Sequence, residues 1–176
     1  MTYKTNNKKI YFIAEAGVNH NGNFKLALKL VDVAVGAGAD AVKFQTFKSE
    51  NLASRFADKA KYQRKTTKIN ETQLEMLKSL ELKENEYFKL KDYCKFKKID
   101  FITTAFDQDS LLFITKKLKV KILKIPSGEI TNGPLLLDHG MTGLDIILST
   151  GMASIKEIKE ALEVIIYGYL NKNKKN

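Results

Sequence analysis

The stretch Lys124-Ile125-Pro126-Ser127-Gly128-Glu129 closes a short apolar run that begins at Ile122. A cation, a hydroxyl, a glycine and a carboxylate thus follow residues that are typical of a buried β-strand. Burial of a strand does not require these polar groups. A site for an anion does, because an ammonium supplies charge, a hydroxyl donates a hydrogen bond and glycine lets backbone N–H groups approach the ligand.

The same arrangement, an apolar run with polar groups at its end, recurs along the chain. Helical patterns separate the runs, and the repeated order strand, helix, strand indicates parallel βαβ units. The runs are continuously apolar rather than alternating, as expected for strands covered on both faces. The predicted strands are Tyr11–Ala16, Ala41–Thr46, Phe101–Ala105, Ile122–Ile125 and Asp145–Ser149.

Helices are predicted where apolar residues recur at helical spacing between these strands. Asn70 and Gln73 resemble a capping box at the start of the second helix. His139, between the fourth and fifth strands, is assigned to an exposed loop. The predicted helices are Phe24–Ala37, Glu71–Leu80, Asn85–Lys97, Asp109–Leu118 and Ser154–Ile166.

Two α/β architectures fit five such units. One is a complete five-stranded doubly wound sheet. The other is a (β/α)8 TIM-type barrel truncated to about its first five βα units, since a whole barrel usually needs ~250 residues. The pattern alone slightly favours the doubly wound sheet, because it needs no missing part. Its nucleotide-binding version is weakened by residues 15–23, EAGVNHNGN, which are not G-x-G-x-x-G.

Composition and charge limit the possible functions. The chain has 176 residues, a formal charge of +10 and a single cysteine, Cys94, which excludes an intrachain disulfide. No apolar run approaches the ~20 residues of a membrane span, and Glu15 interrupts the segment that a signal peptide would need, so a cytoplasmic location is expected. Residues 1–170 are interpreted as one domain and residues 171–176 as a basic tail. Nucleic-acid binding remains an alternative, but scattered lysines favour a solvated surface whose field attracts small anions.

Polar residues at the strand ends are expected to meet, because the carboxyl ends of parallel strands lie on one side of a sheet or barrel. Two lysines and several hydroxyls suit a substrate with phosphate or carboxylate groups. Two glutamates suit acid–base work or binding of sugar hydroxyls. The candidates are Glu15, Lys43, Gln45, Thr104, Lys124, Ser127, Glu129 and Ser149.

Most of these residues also have a structural interpretation. Lys43 lies inside an apolar strand, where a lysine is costly without an anionic partner, and an ion pair with Glu15 would supply one. Glu129 is the corresponding partner for Lys124. Ser127 and Ser149 are possible caps of helices or turns. His20 is interpreted as a residue of an NHNG turn rather than a metal ligand, because no second histidine stands at ligand spacing.

Four segments together resemble the sialic acid synthase family: IAEAGVNHNG at 13–22, VKFQTF at 42–47, LKIPSGEITNGPLL at 123–136 and IILSTGMAS at 146–154. The resemblance implies the barrel. It also implies condensation of phosphoenolpyruvate with N-acetylmannosamine or a 2,4-diacetamido-6-deoxy-hexose in surface-carbohydrate biosynthesis. By position, it implies catalytic roles for Glu15, Lys43 and Glu129. Substrate-binding roles follow for Gln45, Thr104, Lys124, Ser127 and Ser149.

The resemblance further implies a divalent metal, manganese or magnesium, and a homodimer of the full-length enzyme. The family's metal ligands are expected on later strands that this chain lacks. The chain also has Pro126 where the family commonly has glycine, and Ala105 where proline is frequent. We therefore expect a truncated synthase with little or no turnover alone. The alternative is a non-catalytic phosphoenolpyruvate-binding remnant, or a subunit that needs a separate C-terminal half.

Overall fold

Five parallel strands form one sheet in the order β1-β2-β3-β4-β5, in a computed structural model that describes residues 10–54 and 72–172. Each strand pairs with the next strand along the chain. A doubly wound sheet instead reverses its strand order at a switch point, so that alternative is wrong. The strands are β1 (Ile13–Gly17), β2 (Ala41–Thr46), β3 (Asp100–Ala105), β4 (Ile122–Ile125) and β5 (Asp145–Leu148).

Helices follow the strands, largely where the sequence predicts them. The last helix extends five residues beyond its predicted end. In the described part of the chain, no helix is both long and apolar enough to cross a membrane. The helices are α1 (Phe24–Gly36), α2 (Ser49–Leu52), α3 (Gln73–Leu80), α4 (Glu84–Lys97), α5 (Gln108–Leu112, continued by a π-helical segment over Phe113–Lys117), α6 (Gly133–Thr142) and α7 (Ile155–Asn171).

The start of α3 corrects one prediction. Thr72 caps this helix, and its hydroxyl accepts a hydrogen bond from the backbone N–H of Glu75, whose carboxylate in turn binds the backbone N–H of Thr72. Gln73 is the first helical residue, so the capping box is two residues later than predicted. Asn70 lies outside the described residues. A threonine followed by a glutamate at the third position satisfies two free N–H groups reciprocally.

Helix α6 was not predicted. Asn132 caps it by accepting from the backbone N–H of Leu135, and Gly143 ends it with a φ of 71°. His139 is fully buried in this helix, and its Nδ1 lies 2.8 Å from the carbonyl oxygen of Leu135. The assignment of His139 to an exposed loop is therefore wrong. The helix has only ten residues, with Gly-Pro at its start and Thr-Gly at its end. Because these pairs are turn signals, the apolar spacing between them did not indicate a helix.

The two faces of the sheet differ in chemistry. Val42 and Phe44 of β2 and Leu123 of β4 point into the hydrophobic core formed with the helices. Because side chains alternate along a strand, Lys43, Gln45 and Lys124 belong to the opposite face. The helices thus leave a polar face free for a site.

Candidate functional site

Five of the predicted site residues form a row across four strands, which we call the polar row. Glu15 of β1 is aligned with Lys43 of β2. Two residues further along β2, Gln45 is aligned with Thr104 of β3, which is aligned with Lys124 of β4. In a parallel sheet, aligned residues point to the same face. The structure therefore brings these five side chains to the polar face, as the sequence predicts.

Lys43 forms an ion pair across β1 and β2. Its Nζ lies 2.8 Å from Oε2 of Glu15, and the side chains are 10% and 59% exposed, respectively. The ammonium is thus almost buried, while the carboxylate faces solvent. Glu15 is thus the anionic partner that a lysine inside an apolar strand requires. The ion pair also holds the Glu15 carboxylate at the polar row.

Lys124 has a different environment. It is 9% exposed, and its Nζ donates a hydrogen bond to the carbonyl oxygen of Ile125 at 2.8 Å. No carboxylate of the described residues lies within salt-bridge distance of it. Burial, followed by the nearby Lys43 cation, lowers the pKa of Lys124 to about 8, against an opposing effect of the Glu15 carboxylate. A buried lysine that no carboxylate of the described residues pairs stays a candidate for contact with an anionic ligand.

Glu129 does not pair with Lys124, although the sequence suggested it as the partner of this lysine. Its carboxylate accepts a hydrogen bond from the side-chain amide of Asn132 at 2.8 Å, in the turn before α6. The structure thus links Glu129 to the N-cap of α6. The catalytic role that the resemblance implies for Glu129 stays a prediction.

Thr104 contributes a buried hydroxyl between Gln45 and Lys124. Its side chain is 1% exposed, and its Oγ1 has no hydrogen-bond partner among the described residues. Its neighbour Thr103 faces the core and shares a 2.8 Å hydrogen bond with the Thr46 hydroxyl. Buried hydroxyls are nearly always paired. The Thr104 hydroxyl is therefore available to a ligand at the polar row.

Ser127 and Ser149 lie beyond the ends of β4 and β5. A Cβ built on Gly151 would stand 3.5 Å from the Ser127 hydroxyl, so the loop after β5 packs against this serine. The backbone N–H of Ser149 donates to the carbonyl of Ile125 at 3.0 Å. Neither serine caps an α-helix of the described chain, because Asn132 and Ser154 cap α6 and α7. Both hydroxyls thus stay candidates for ligand contact.

Gly17 is a positioning residue that the sequence analysis did not single out. Its φ is +54°, and the pairing register of β1 shifts between Glu15 and Gly17. A Cβ here would lie 3.6 Å from Nε2 of Gln45 and 3.7 Å from Oε1 of Glu15. A glycine adopts this backbone conformation without strain. The Ala-Gly pair after Glu15 was the available signal.

His20 lies in the turn after β1. It is 1% exposed, its Nδ1 accepts from the backbone N–H of Gly22 at 3.1 Å, and burial lowers its pKa. These contacts agree with the turn interpretation. Within residues 10–54 and 72–172, no group of three or more histidines, cysteines, aspartates or glutamates could hold a metal ion. The described residues therefore do not fit the divalent metal that the resemblance implies.

Comparison with known proteins identifies relatives of this chain. The model of the NeuB family matches residues 30–176. The chain belongs to this family. It is 50% identical over 158 residues to the N,N'-diacetyllegionaminic acid synthase of Campylobacter jejuni, covering 90% of this chain and 47% of that protein. The same enzyme of Legionella pneumophila is 46% identical over 155 residues, covering 88% and 43%.

Solved structures agree with this membership. The N-acetylneuraminic acid synthetase of Leptospira borgpetersenii, solved in complex with citrate, is 36% identical, with a TM-score of 0.75 over 91% of this chain and 51% of that one. The DAHP synthase of Thermotoga maritima shares the fold at 15% identity and a TM-score of 0.63. This member of the NeuB family spans about half the length of the curated relatives that it matches.

Proposed function

We propose that this chain carries the phosphoenolpyruvate-binding part of a nonulosonic acid synthase. The synthase would condense phosphoenolpyruvate with N-acetylmannosamine or a 2,4-diacetamido-6-deoxy-hexose for surface-carbohydrate biosynthesis. The observation that carries the proposal is the polar row, which holds two buried lysines and a buried hydroxyl with no hydrogen-bond partner among the described residues. Such a row suits a compact ligand with several negative charges, because each charged oxygen gains a strong hydrogen bond.

In this proposal, the residues of the polar row and the neighbouring Ser127 have different tasks. Lys124 and Ser127 bind phosphate, and Lys43 helps to hold the anionic substrate. The Thr104 hydroxyl donates to an oxygen of the same ligand. Charge neutralisation by fixed groups favours the reaction, because these groups need no reorganisation when the phosphate leaves.

The sugar is assigned to the solvent-facing side of the row. Gln45 contacts the sugar, and Glu15 orients or protonates its carbonyl oxygen; its exposed carboxylate supports this role. In the reaction, C3 of phosphoenolpyruvate forms a bond to the aldehyde carbon of the sugar. Water then adds at C2, and phosphate leaves by cleavage of its C–O bond. Exposure of Glu15 leaves room for the sugar beside Lys43.

The whole enzyme in this proposal is larger than the described sheet. The sequential strand order and the likeness to solved synthases support a (β/α)8 barrel of which β1 to β5 are the first five strands. We also propose that the enzyme is a cytoplasmic homodimer. It would use manganese or magnesium, held by ligands beyond the residues described here.

Binding and turnover test the proposal separately. Calorimetry should show phosphoenolpyruvate binding to the full chain at pH 7. Lys124→Met should weaken it ~30-fold, the equivalent of about 2 kcal/mol for a hydrogen bond between charged groups. Lys156→Met is the matched control, because Lys156 is 84% exposed on α7. Equal affinity of Lys124→Met and wild type would contradict the proposed site.

Phosphate release with phosphoenolpyruvate, Mn²⁺ and N-acetylmannosamine then measures turnover. Turnover by the wild type, together with its loss in Glu15→Gln and in Lys43→Met, would support the assigned roles. Binding without turnover, by the chain together with any second chain that co-purifies with it, would favour the non-catalytic phosphoenolpyruvate-binding remnant instead.

A further inference from the structure

The two lysines of the polar row differ in their counterions. Lys43 has the Glu15 carboxylate at 2.8 Å, which offsets its charge. Lys124 donates only to a neutral carbonyl oxygen, and the cation of Lys43 acts on it. Moving an ammonium out of water without a counterion favours the neutral amine. The row therefore holds one lysine that is paired with a carboxylate and one, Lys124, whose pKa is lowered by its surroundings.

The groups around Lys124 can be named element by element. On β3 it is aligned with Thr104, and on β5 with Ile147, neither of which is charged. On β2 and β1 the charged groups are Lys43, which lowers the pKa of Lys124, and Glu15, which raises it. In the turn after β4, the Glu129 carboxylate is hydrogen-bonded to Asn132. Within the described chain, an added anion is thus the missing counterion of Lys124.

We propose that binding of a small multivalent anion at the polar row is coupled to the uptake of one proton by Lys124. The amine takes this proton from solvent and becomes the ammonium that binds the anion. This inference rests on the proposed function, because phosphoenolpyruvate is the multivalent anion that we assign to the row. It adds a consequence that the assignment alone does not contain: affinity should depend on pH in the range where Lys124 titrates.

The sign of this dependence follows from linkage. Below about pH 7, Lys124 is already protonated, and affinity should be independent of its titration. Above about pH 8, the free site must acquire a proton to bind, so the dissociation constant should rise about tenfold per pH unit. Phosphate esters are fully ionised in this range, since their second pKa is about 6, so the ligand adds no proton of its own.

Calorimetry of the full chain tests the coupling directly. Phosphoenolpyruvate is titrated at pH 8.5 in two buffers with different ionisation enthalpies, and the difference in measured heat gives the protons taken up. Wild type should take up about 0.8 proton per site. Lys124→Arg should bind with none, because a guanidinium is always protonated. Lys156→Arg is the matched control and should keep the uptake of wild type, because Lys156 is 84% exposed on α7.

Sulfate, which does not titrate here, serves as a second probe and separates the two proposals. Binding of phosphoenolpyruvate without proton uptake would overturn the coupling and leave the proposed function standing. Binding of sulfate with uptake, but no binding of phosphoenolpyruvate, would do the reverse. Binding of neither anion would overturn both. If Lys124→Arg does not fold, the dissociation constant of wild type between pH 6.5 and 9.5 decides, and a flat profile overturns the coupling.

Discussion

Thr103 and Thr104 are neighbours in β3 whose hydroxyls have opposite environments. Thr104→Val removes a buried hydroxyl that lacks a hydrogen-bond partner among the described residues, so stability should stay unchanged or rise slightly, while phosphoenolpyruvate affinity falls. Thr103→Val breaks the hydrogen bond to Thr46 and leaves that hydroxyl buried, which should cost about 1–2 kcal/mol of unfolding free energy. Urea unfolding and calorimetry of both variants measure the contrast.

This pair supplies its own control, since both variants exchange a hydroxyl for a methyl group in the same strand. A large loss of stability in Thr104→Val would show that its hydroxyl has a structural role. The sequence places both threonines at the end of a strand but does not distinguish them. Only the register reveals that Thr104 aligns with Lys124 and that Thr103 faces the core.

The two buried histidines should make the stability of the chain depend on pH. In the folded chain, burial lowers the pKa of both His20 and His139 below the usual value of 6.5. Each histidine therefore binds its proton more readily in the unfolded chain. Stability should therefore be intact above about pH 6.5 and fall as the pH drops below it. The slope should approach about 1.4 kcal/mol per pH unit for each histidine.

Urea unfolding at pH 7.5, 6.5 and 5.5 measures this slope in wild type and in His139→Gln. The glutamine variant will be less stable at all three values, but its loss between pH 6.5 and 5.5 should be smaller. An identical slope in both proteins would exclude His139 as a contributor. The sequence offered no sign of this behaviour, because the burial of His139 depends on the helix that the sequence analysis missed.

At the scale of elements, helix α6 packs on α7 through glycines. A Cβ on Gly140 would lie 2.4 Å from the carbonyl oxygen of Ile165, and one on Gly168 would lie 2.8 Å from that of Leu137. Backbone atoms cannot yield as a flexible side chain can. Gly140→Ala should therefore separate the helices and destabilise the chain by about 1–3 kcal/mol.

Gly36→Ala is the control for this prediction. Gly36 is the last residue of α1, and a Cβ there would meet no atom within 4 Å. The substitution should be neutral or stabilise by up to about 1 kcal/mol, because alanine has the higher helix propensity. Thermal unfolding of both variants checks the expectation, and equal shifts would show that the contact of α6 with α7 tolerates a methyl group.

A long helix with regularly spaced apolar residues was predictable from the sequence, and a short helix that depends on its cap was not. The apolar spacing of α1 was sufficient, because this helix has thirteen residues. Helix α6 depends on the cap at Asn132 and on contact with α7, neither of which leaves a periodic pattern. At α3 the prediction of the helix was sound, but its cap was assigned two residues early.

At the scale of the whole molecule, the pattern of elements established parallel βαβ units but not their order. Doubly wound sheets and barrels share the same alternation of strand and helix, and they differ in which strands are neighbours. Strand neighbours depend on contacts between distant residues, which local patterns do not encode. The family motifs pointed to the barrel, and the sequential strand order agrees with that expectation and rejects the doubly wound sheet.

The proposed barrel makes a prediction about the outer face of α7. Leu162, Ile166 and Leu170 recur every four residues on one face of this helix and are 44%, 54% and 75% exposed. In a barrel, the next strand would pair with β5, and the next helix would cover this face. A separate polypeptide equivalent to the second half of the Campylobacter jejuni relative should therefore bind the chain.

Complex formation by size-exclusion chromatography tests this prediction. The double variant Ile166→Glu, Leu170→Glu should keep its own fold, because both side chains are exposed, and should lose binding of the second half. Phe96→Glu is the matched control: Phe96 is 77% exposed on α4, away from α7 in the element order, and should bind as wild type does. Equal binding by all three proteins would show that α7 does not adjoin the rest of a barrel.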